Sequence, residues 1–263
     1  PPLAGTRNEA SFWYVAMTAE IVVANKIGVA LAADSTITIR SGAGDKTYNT
    51  ANKIFTVHKL HPIGALIYGS TRINSLPIEV ILKEFRASLP DVEKDTLAEY
   101  ADDFMGFLRN SVPITTANHD ENYIAVVQEY CRRLQSDMRR AVVDRQISIT
   151  DAAAVRAVVR EFIQEFRVRV HAAGPCPSMT SVDRAALARA YPNVVEDTVS
   201  RVFRLFSPSS ATKRTIVDLI YDACLSNELT HNRMGLVIAG YGRKEYFPSV
   251  KSFETDGFFC RPP

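Results

Sequence analysis

The chain has no Cys-x-x-Cys pair. Its four cysteines, Cys131, Cys176, Cys224 and Cys260, stand far apart, so neither a zinc ribbon nor a thioredoxin-type dithiol is available. Widely spaced thiols fit a reducing compartment, and a cytoplasmic location is expected. An excess of one charge is also lacking. There are 31 Lys and Arg against 29 Asp and Glu, a net charge of +2, which is too small to recruit nucleic acid or an anionic membrane by total charge. No apolar run is long enough to cross a bilayer. Residues 12–16, Phe-Trp-Tyr-Val-Ala, are too few for a signal-peptide core and have only Arg7 ahead of them. Internal repeats and low-complexity tracts are missing as well.

Cofactor motifs are equally scarce. Gly42-Ala43-Gly44-Asp45-Lys46-Thr47 has no Gly directly before its Lys and no helical pattern after it, which excludes a phosphate-binding loop. His58 and His61 have no further ligands near them in the sequence and read as a strand-end pair rather than a metal site. No cofactor and no metal are expected. Residues 131–171 hold nine Arg and five acidic residues; solvated helix faces account for that excess.

What is present suits a globular domain. The chain has 263 residues, 46% of them hydrophobic and 23% charged, enough for one large domain or one domain with a substantial insertion. Residues 20–25 and 28–39 read as strands around a Lys-Ile-Gly turn, and 41–52 as a polar loop. Residues 54–58 and 63–68 read as two more strands, split by His61-Pro62. From about residue 76 the period becomes helical. Ile78, Ile81, Leu82 and Phe85 share one face, and Leu97, Tyr100, Ala101, Phe104 and Phe107 another. Longer stripes follow at 123–141 and 155–170, the second with Thr150 as its expected N-cap. Gly174-Pro175-Cys176-Pro177 ends it. Residues 185–206 are helical with a break near Pro192, and 216–223 form a last helix. Strand character returns at 234–241, with 250–253 as its partner. The expected class is α+β, with the helical block at 76–230 lying as a layer on the sheet.

One constellation carries chemistry. A hairpin over 18–35 returns Asp34 towards Thr18. Lys53 and the small-residue turn Tyr68-Gly69-Ser70 follow. A hydroxyl, a carboxylate, an ammonium and a glycine amide are the parts of a hydroxyl-nucleophile amidohydrolase. Each residue alone has a blander reading: a strand-start Thr, a turn Asp, an edge Lys and a turn Gly.

Thr18, Gly28-Val29-Ala30-Leu31-Ala32-Ala33-Asp34-Ser35, Thr38, Lys53 and Gly69 together resemble the bacterial-type β-subunits of the proteasome, and more broadly the N-terminal-nucleophile hydrolases. The Ala-Ala-Asp-Ser tetrapeptide and its spacing from Thr18 are the most specific part. The likeness runs through about residues 18–90 and weakly through 234–257. It implies an αββα sandwich with an enlarged helical insertion, C-terminally incomplete, because the family's later elements and their accessory Ser and Asp have no counterpart before Pro263. Residues 1–17 would be a propeptide or a misassigned N-terminal extension, and 18–263 a single domain.

The chemistry implied is that of a threonine peptidase. Thr18 is the nucleophile and its own α-amine the base. Lys53 keeps that amine neutral by like-charge repulsion. Asp34 holds Lys53, and the Gly69 N–H receives the oxyanion. Thr38 and Ser70 bind the substrate, a peptide or small amide. The amine must be free, so residues 1–17 must be absent from the active chain, by autoprocessing or by initiation at Met17. Homo-oligomeric rings are implied by the resemblance; nucleic acid and membrane partners are not. The alternative expectation is a non-catalytic proteasome-like subunit that uses its helical block as a partner surface.

Overall fold

The computed structural model describes residues 19–41, 44–48 and 51–259. Strands β1 (Glu20–Ala24) and β2 (Val29–Ala33) form an antiparallel hairpin with Glu20 opposite Ala33. Its turn is built by Asn25, whose side-chain oxygen accepts from the amides of Ile27 (2.8 Å) and Gly28 (3.1 Å), the local capping for which Asn is favoured in turns. Strands β3 (Ile37–Ser41) and β4 (Gly44–Tyr48) form a second hairpin. This differs from the single strand expected over 28–39 and the loop expected over 41–52. The chain leaves strand geometry at residues 34–36, and polar Gly44–Tyr48 extends by pairing with Ile37–Ser41, a tertiary choice that composition does not report.

Strands β5 (Ile54–Thr56) and β6 (Ile63–Gly69) lead into a very short hairpin, β7 (Arg72–Ile73) and β8 (Leu76–Pro77). Asn74 and Ser75 both have positive φ, 46° and 69°, the signature of a primed two-residue turn. Seven helices follow: α1 (Ile78–Ser88), α2 (Leu97–Asn110), α3 (Thr116–Asp144), α4 (Ala152–Ala173), α5 (Arg184–Ala190), α6 (Val194–Val202) and α7 (Ser210–Leu225). Asp151, not Thr150, caps α4, accepting from the amides of Ala153 and Ala154. The break expected near Pro192 separates α5 from α6. Strands β9 (Met234–Gly240) and β10 (Ser249–Thr255) complete a four-stranded antiparallel sheet in the order β10-β9-β6-β5.

Alternation along β6 gives this sheet two different faces. Ile63, Ala65 and Ile67 point into a core with Leu236 and Ile238 of β9, Ile78, Leu82 and Phe85 of α1, and Leu97, Tyr100 and Phe104 of α2. Gly64 lies on the opposite face, against the Leu31 side chain of the β1–β2 hairpin; a Cβ at Gly64 would sit 2.5 Å from Leu31 Cδ1. The layers are therefore hairpin, sheet and two helices. The outer face of the hairpin carries Ile21 and Val23, both more than half exposed. No helix among the described residues covers it, and the structure is α+β with small antiparallel sheets.

The expected helical layer divides. Only α1 and α2 share the core of the sheet. Helices α3 to α7 close around a core of their own, with Tyr123, Leu134, Met138, Phe166, Val199 and Ile220 in it. The segment after β10 joins the two parts. Asn122 donates to the Asp256 carbonyl (2.9 Å), His119 Nδ1 lies 3.0 Å from the Phe258 carbonyl, and Asn74 exchanges hydrogen bonds with Phe258.

Candidate active site

The open end of the β1–β2 hairpin places the first carboxylate. The Asp34 amide donates to the Ala19 carbonyl (3.1 Å), one step beyond the Glu20–Ala33 pair. Asp34 thus stands beside the first described residue of the chain. Thr18, joined to Ala19 by a single peptide bond, lies outside the described residues.

Lys53 comes from the other sheet, directly ahead of β5. Its carbonyl accepts from the Ile67 amide at 3.0 Å, which ties it to the middle of β6. Its ammonium crosses to the hairpin and meets Asp34 Oδ1 at 2.5 Å. The Lys53 side chain is 4% exposed and that of Asp34 32%. A lysine at this burial requires a carboxylate, because desolvating an unpaired ammonium costs several kcal/mol; the ion pair is what allows it to sit between the two sheets.

The sequence reading missed a second carboxylate. Glu20 Oε1 lies 4.0 Å from Lys53 Nζ, with a side chain 15% exposed. That oxygen is buried and accepts no hydrogen bond among the described residues. Burial raises the Glu20 carboxyl above its ordinary value; the Lys53 charge opposes the rise and Asp34 adds to it. A signal was available in the alternation of β1. Glu20 and Val22 form its less exposed side, and Ile21 and Val23 its exposed side. A Glu on the inward side of an apolar strand asks for a partner.

Gly69 ends β6 with φ +70°. A Cβ there would collide with the Arg233 carbonyl oxygen, so both conformation and space require glycine. The Ser70 amide donates to that same Arg233 carbonyl (3.0 Å) on the β9 side, whereas the Ile67 amide turns to Lys53. Alternation in an antiparallel ladder directs the Gly69 N–H to the Lys53 edge, about 7 Å further along the strand than the Ile67 amide. The Ser70 hydroxyl closes the local turn, exchanging hydrogen bonds with the Arg72 backbone at 3.2 Å. Thr38 lies in β3 opposite Thr47, in the separate hairpin rather than in a continuation of β2.

The surroundings are firmly built. Tyr68 covers Gly235 across the β6–β9 pair and donates its hydroxyl to Glu254 (3.0 Å), which also accepts from Arg233 Nε (2.8 Å). A cleft of about 170 Å³ opens between hairpin and sheet, lined by Val29, Leu31, Pro62, Gly64, Ala239 and Tyr241. A larger surface cavity between α1 and α2, about 350 Å³, is lined by none of the candidate residues. His58 Nδ1 accepts from the amides of Leu60 and His61, so its Nε2–H donates to the Pro90 carbonyl at 3.1 Å. The described residues contain no cluster of three groups able to hold a metal. None of their helices is long and apolar enough to cross a membrane.

The structure thus brings Asp34 and Lys53 into contact, adds Glu20, sets Gly69 against the Arg233 carbonyl, and turns the Ser70 hydroxyl to its own loop. No protein-family model, no curated protein and no solved structure matches this chain.

Proposed function

We propose that the chain is a threonine-nucleophile amidohydrolase of the proteasome-like class, acting on peptides or small amides. One observation carries the reading: the ion pair of buried Lys53 with half-buried Asp34, 2.5 Å long, formed between two sheets beside the residue that follows Thr18. In this reading residues 1–17 are absent and the Thr18 α-amine is free. The amine takes the proton of the Thr18 hydroxyl as its oxygen attacks the substrate carbonyl carbon. The Gly69 N–H receives the oxyanion, a donor worth about 10²–10³ in rate. The C–N bond breaks, the proton passes to the leaving amine, and an ester remains on Thr18. Water, deprotonated by the same amine, hydrolyses that ester. An α-amine ionises near neutral pH, which suits it to both proton transfers. The αββα architecture is part of this reading; the hairpin packed over the four-stranded sheet, with α1 and α2 behind it, supports it.

The test uses a chain that begins at Thr18, a panel of fluorogenic peptide amides, and a peptide β-lactone that acylates hydroxyl nucleophiles. Turnover, and a single acyl adduct located on Thr18 by tandem mass spectrometry, are expected. Thr18→Ala should lose both while Thr18→Ser keeps adduct formation. An adduct elsewhere, or turnover that survives Thr18→Ala, would overturn the proposal. A second reading, a non-catalytic subunit, is favoured by one feature, the separate core of α3 to α7. It predicts that the helical part binds a partner and that Thr18 stays unreactive.

A further inference from the structure

The geometry points to Glu20 as a positioning residue of this site, one that shares the Lys53 ammonium with Asp34 and sets the electrostatic balance around the base. This rests on the proposed function above for its catalytic meaning, although the coupling itself is a property of the described residues.

The argument begins with charge. Lys53 is a buried monocation faced by two carboxylates, Asp34 at 2.5 Å and Glu20 at 4.0 Å. With both ionised the cluster is net negative. With Glu20 protonated it is neutral. The Lys53 charge disfavours the ammonium form of a nearby α-amine, whereas an additional negative charge stabilises that form and weakens the base. Glu20 therefore decides which case applies.

The position of Glu20 suits that role. It follows Thr18 by two residues in the sequence and opens β1 on that strand's less exposed side. Its Oε1 is buried without a hydrogen bond among the described residues, and the cation that faces it there is Lys53 at 4.0 Å. The titratable groups acting on it are Lys53, ahead of β5, and Asp34, after β2; burial lifts its carboxyl, Lys53 lowers it and Asp34 lifts it. A carboxylate serving only stability would be expected to complete its hydrogen bonds. Glu20 instead stands at ion-pair distance, able to gain or lose its proton without breaking a donor contact.

The experiment has two arms. The first is a carbon-13 NMR titration of the Glu20 carboxyl in the full chain and in Asp34→Asn and Lys53→Met. Removing the Asp34 charge should lower the Glu20 midpoint, and removing the Lys53 charge should raise it. A midpoint that ignores both changes overturns the coupling, whatever the chain does as an enzyme. The second arm is the pH dependence of kcat/KM for the wild type and Glu20→Gln, both beginning at Thr18. Glu20→Gln keeps the shape and removes the charge. Its acid limb should move to lower pH by roughly one unit, as expected when one nearby negative charge is removed. An unmoved limb with unchanged turnover removes Glu20 from the site. Coupling by NMR in a chain with no turnover and no Thr18 adduct would overturn the catalytic reading and the catalytic role of Glu20 together, leaving an ion cluster only.

Discussion

The sheet half and the helical half of this chain are built on opposite plans. The sheet core joins residues 55–108 to 234–238, so it forms only when distant stretches of chain meet. The fully buried residues of the α3 to α7 core all come from residues 123–224, with Phe259 packed against them from beyond β10. Within this block the segment after α4 is tied to the end of α7: Cys176 N–H donates to the Leu225 carbonyl and Asn227 N–H to the Gly174 carbonyl, both at 2.9 Å. A block that fills most of its own core relies on contacts closer in sequence than those of the sheet. The residues with chemical potential, Glu20, Asp34, Lys53 and Gly69, all belong to the sheet half. What the difference teaches is a division of construction: the candidate site lies on the non-local half, and bulk on the local half.

The largest effect should come from breaking the chemistry of the first half. Lys53→Ala removes the cation on which Asp34 and Glu20 converge. It should reduce hydrolysis by at least about 10²–10⁴-fold, the range typical of lost proton-transfer machinery, with circular dichroism unchanged because Asp34 can turn to solvent. Replacing Arg156 and Arg160 on the exposed face of α4 should leave turnover unaltered. Equal losses from both changes would erase the division.

The separate cores can be tested next. Phe166 is almost fully buried in the helical core, and Phe166→Ala should cost about 3–5 kcal/mol. Hydrogen exchange followed by mass spectrometry should then show faster exchange confined to α3–α7, with β6 and β9 still protected. Uniform loss across the chain would show a single cooperative unit.

A pair of glycines sharpens the contrast. Gly69→Ala meets the Arg233 carbonyl at φ +70° and should destabilise by about 2–3 kcal/mol. Gly106→Ala lies within α2 with open space around its position and should stabilise by about 0.5–1 kcal/mol. Urea denaturation of the two variants should give opposite signs.

The smallest effect lies at the joint between the halves. Thr230 donates two hydrogen bonds to Asp256, yet burial still lifts its carboxyl above the ordinary 3.8. A raised carboxyl favours the protonated folded state. Its contribution is complete below the unfolded value and declines as pH rises through the folded one. The stability of the wild type relative to Asp256→Asn should therefore fall with rising pH in that window, as measured by urea midpoints.

Much of this was legible in the sequence because its signals were local. The stripes at 78–85 and 97–107 describe α1 and α2, and Gly174 does end α4. The pairing of Asp34 with Lys53 is implied by the resemblance, and the structure sets them in contact. The rest depended on tertiary choices. The β3–β4 hairpin is polar by composition and extended only by pairing. The face that α3 to α7 present could not be assigned, because an apolar stripe asks for cover without saying whose. Glu20 was passed over because one acid at the start of a strand resembles an ordinary solvated residue until its neighbours close around it.

The central claim is that Thr18 acts through a free amine. Its most direct measurement compares two preparations, one beginning at Thr18 and one retaining Pro1 with processing blocked, by intact mass and by hydrolysis of the same peptide amide. The account predicts turnover only in the preparation whose mass places Thr18 at the N-terminus. Equal turnover by a chain whose mass still includes residues 1–17 would contradict it.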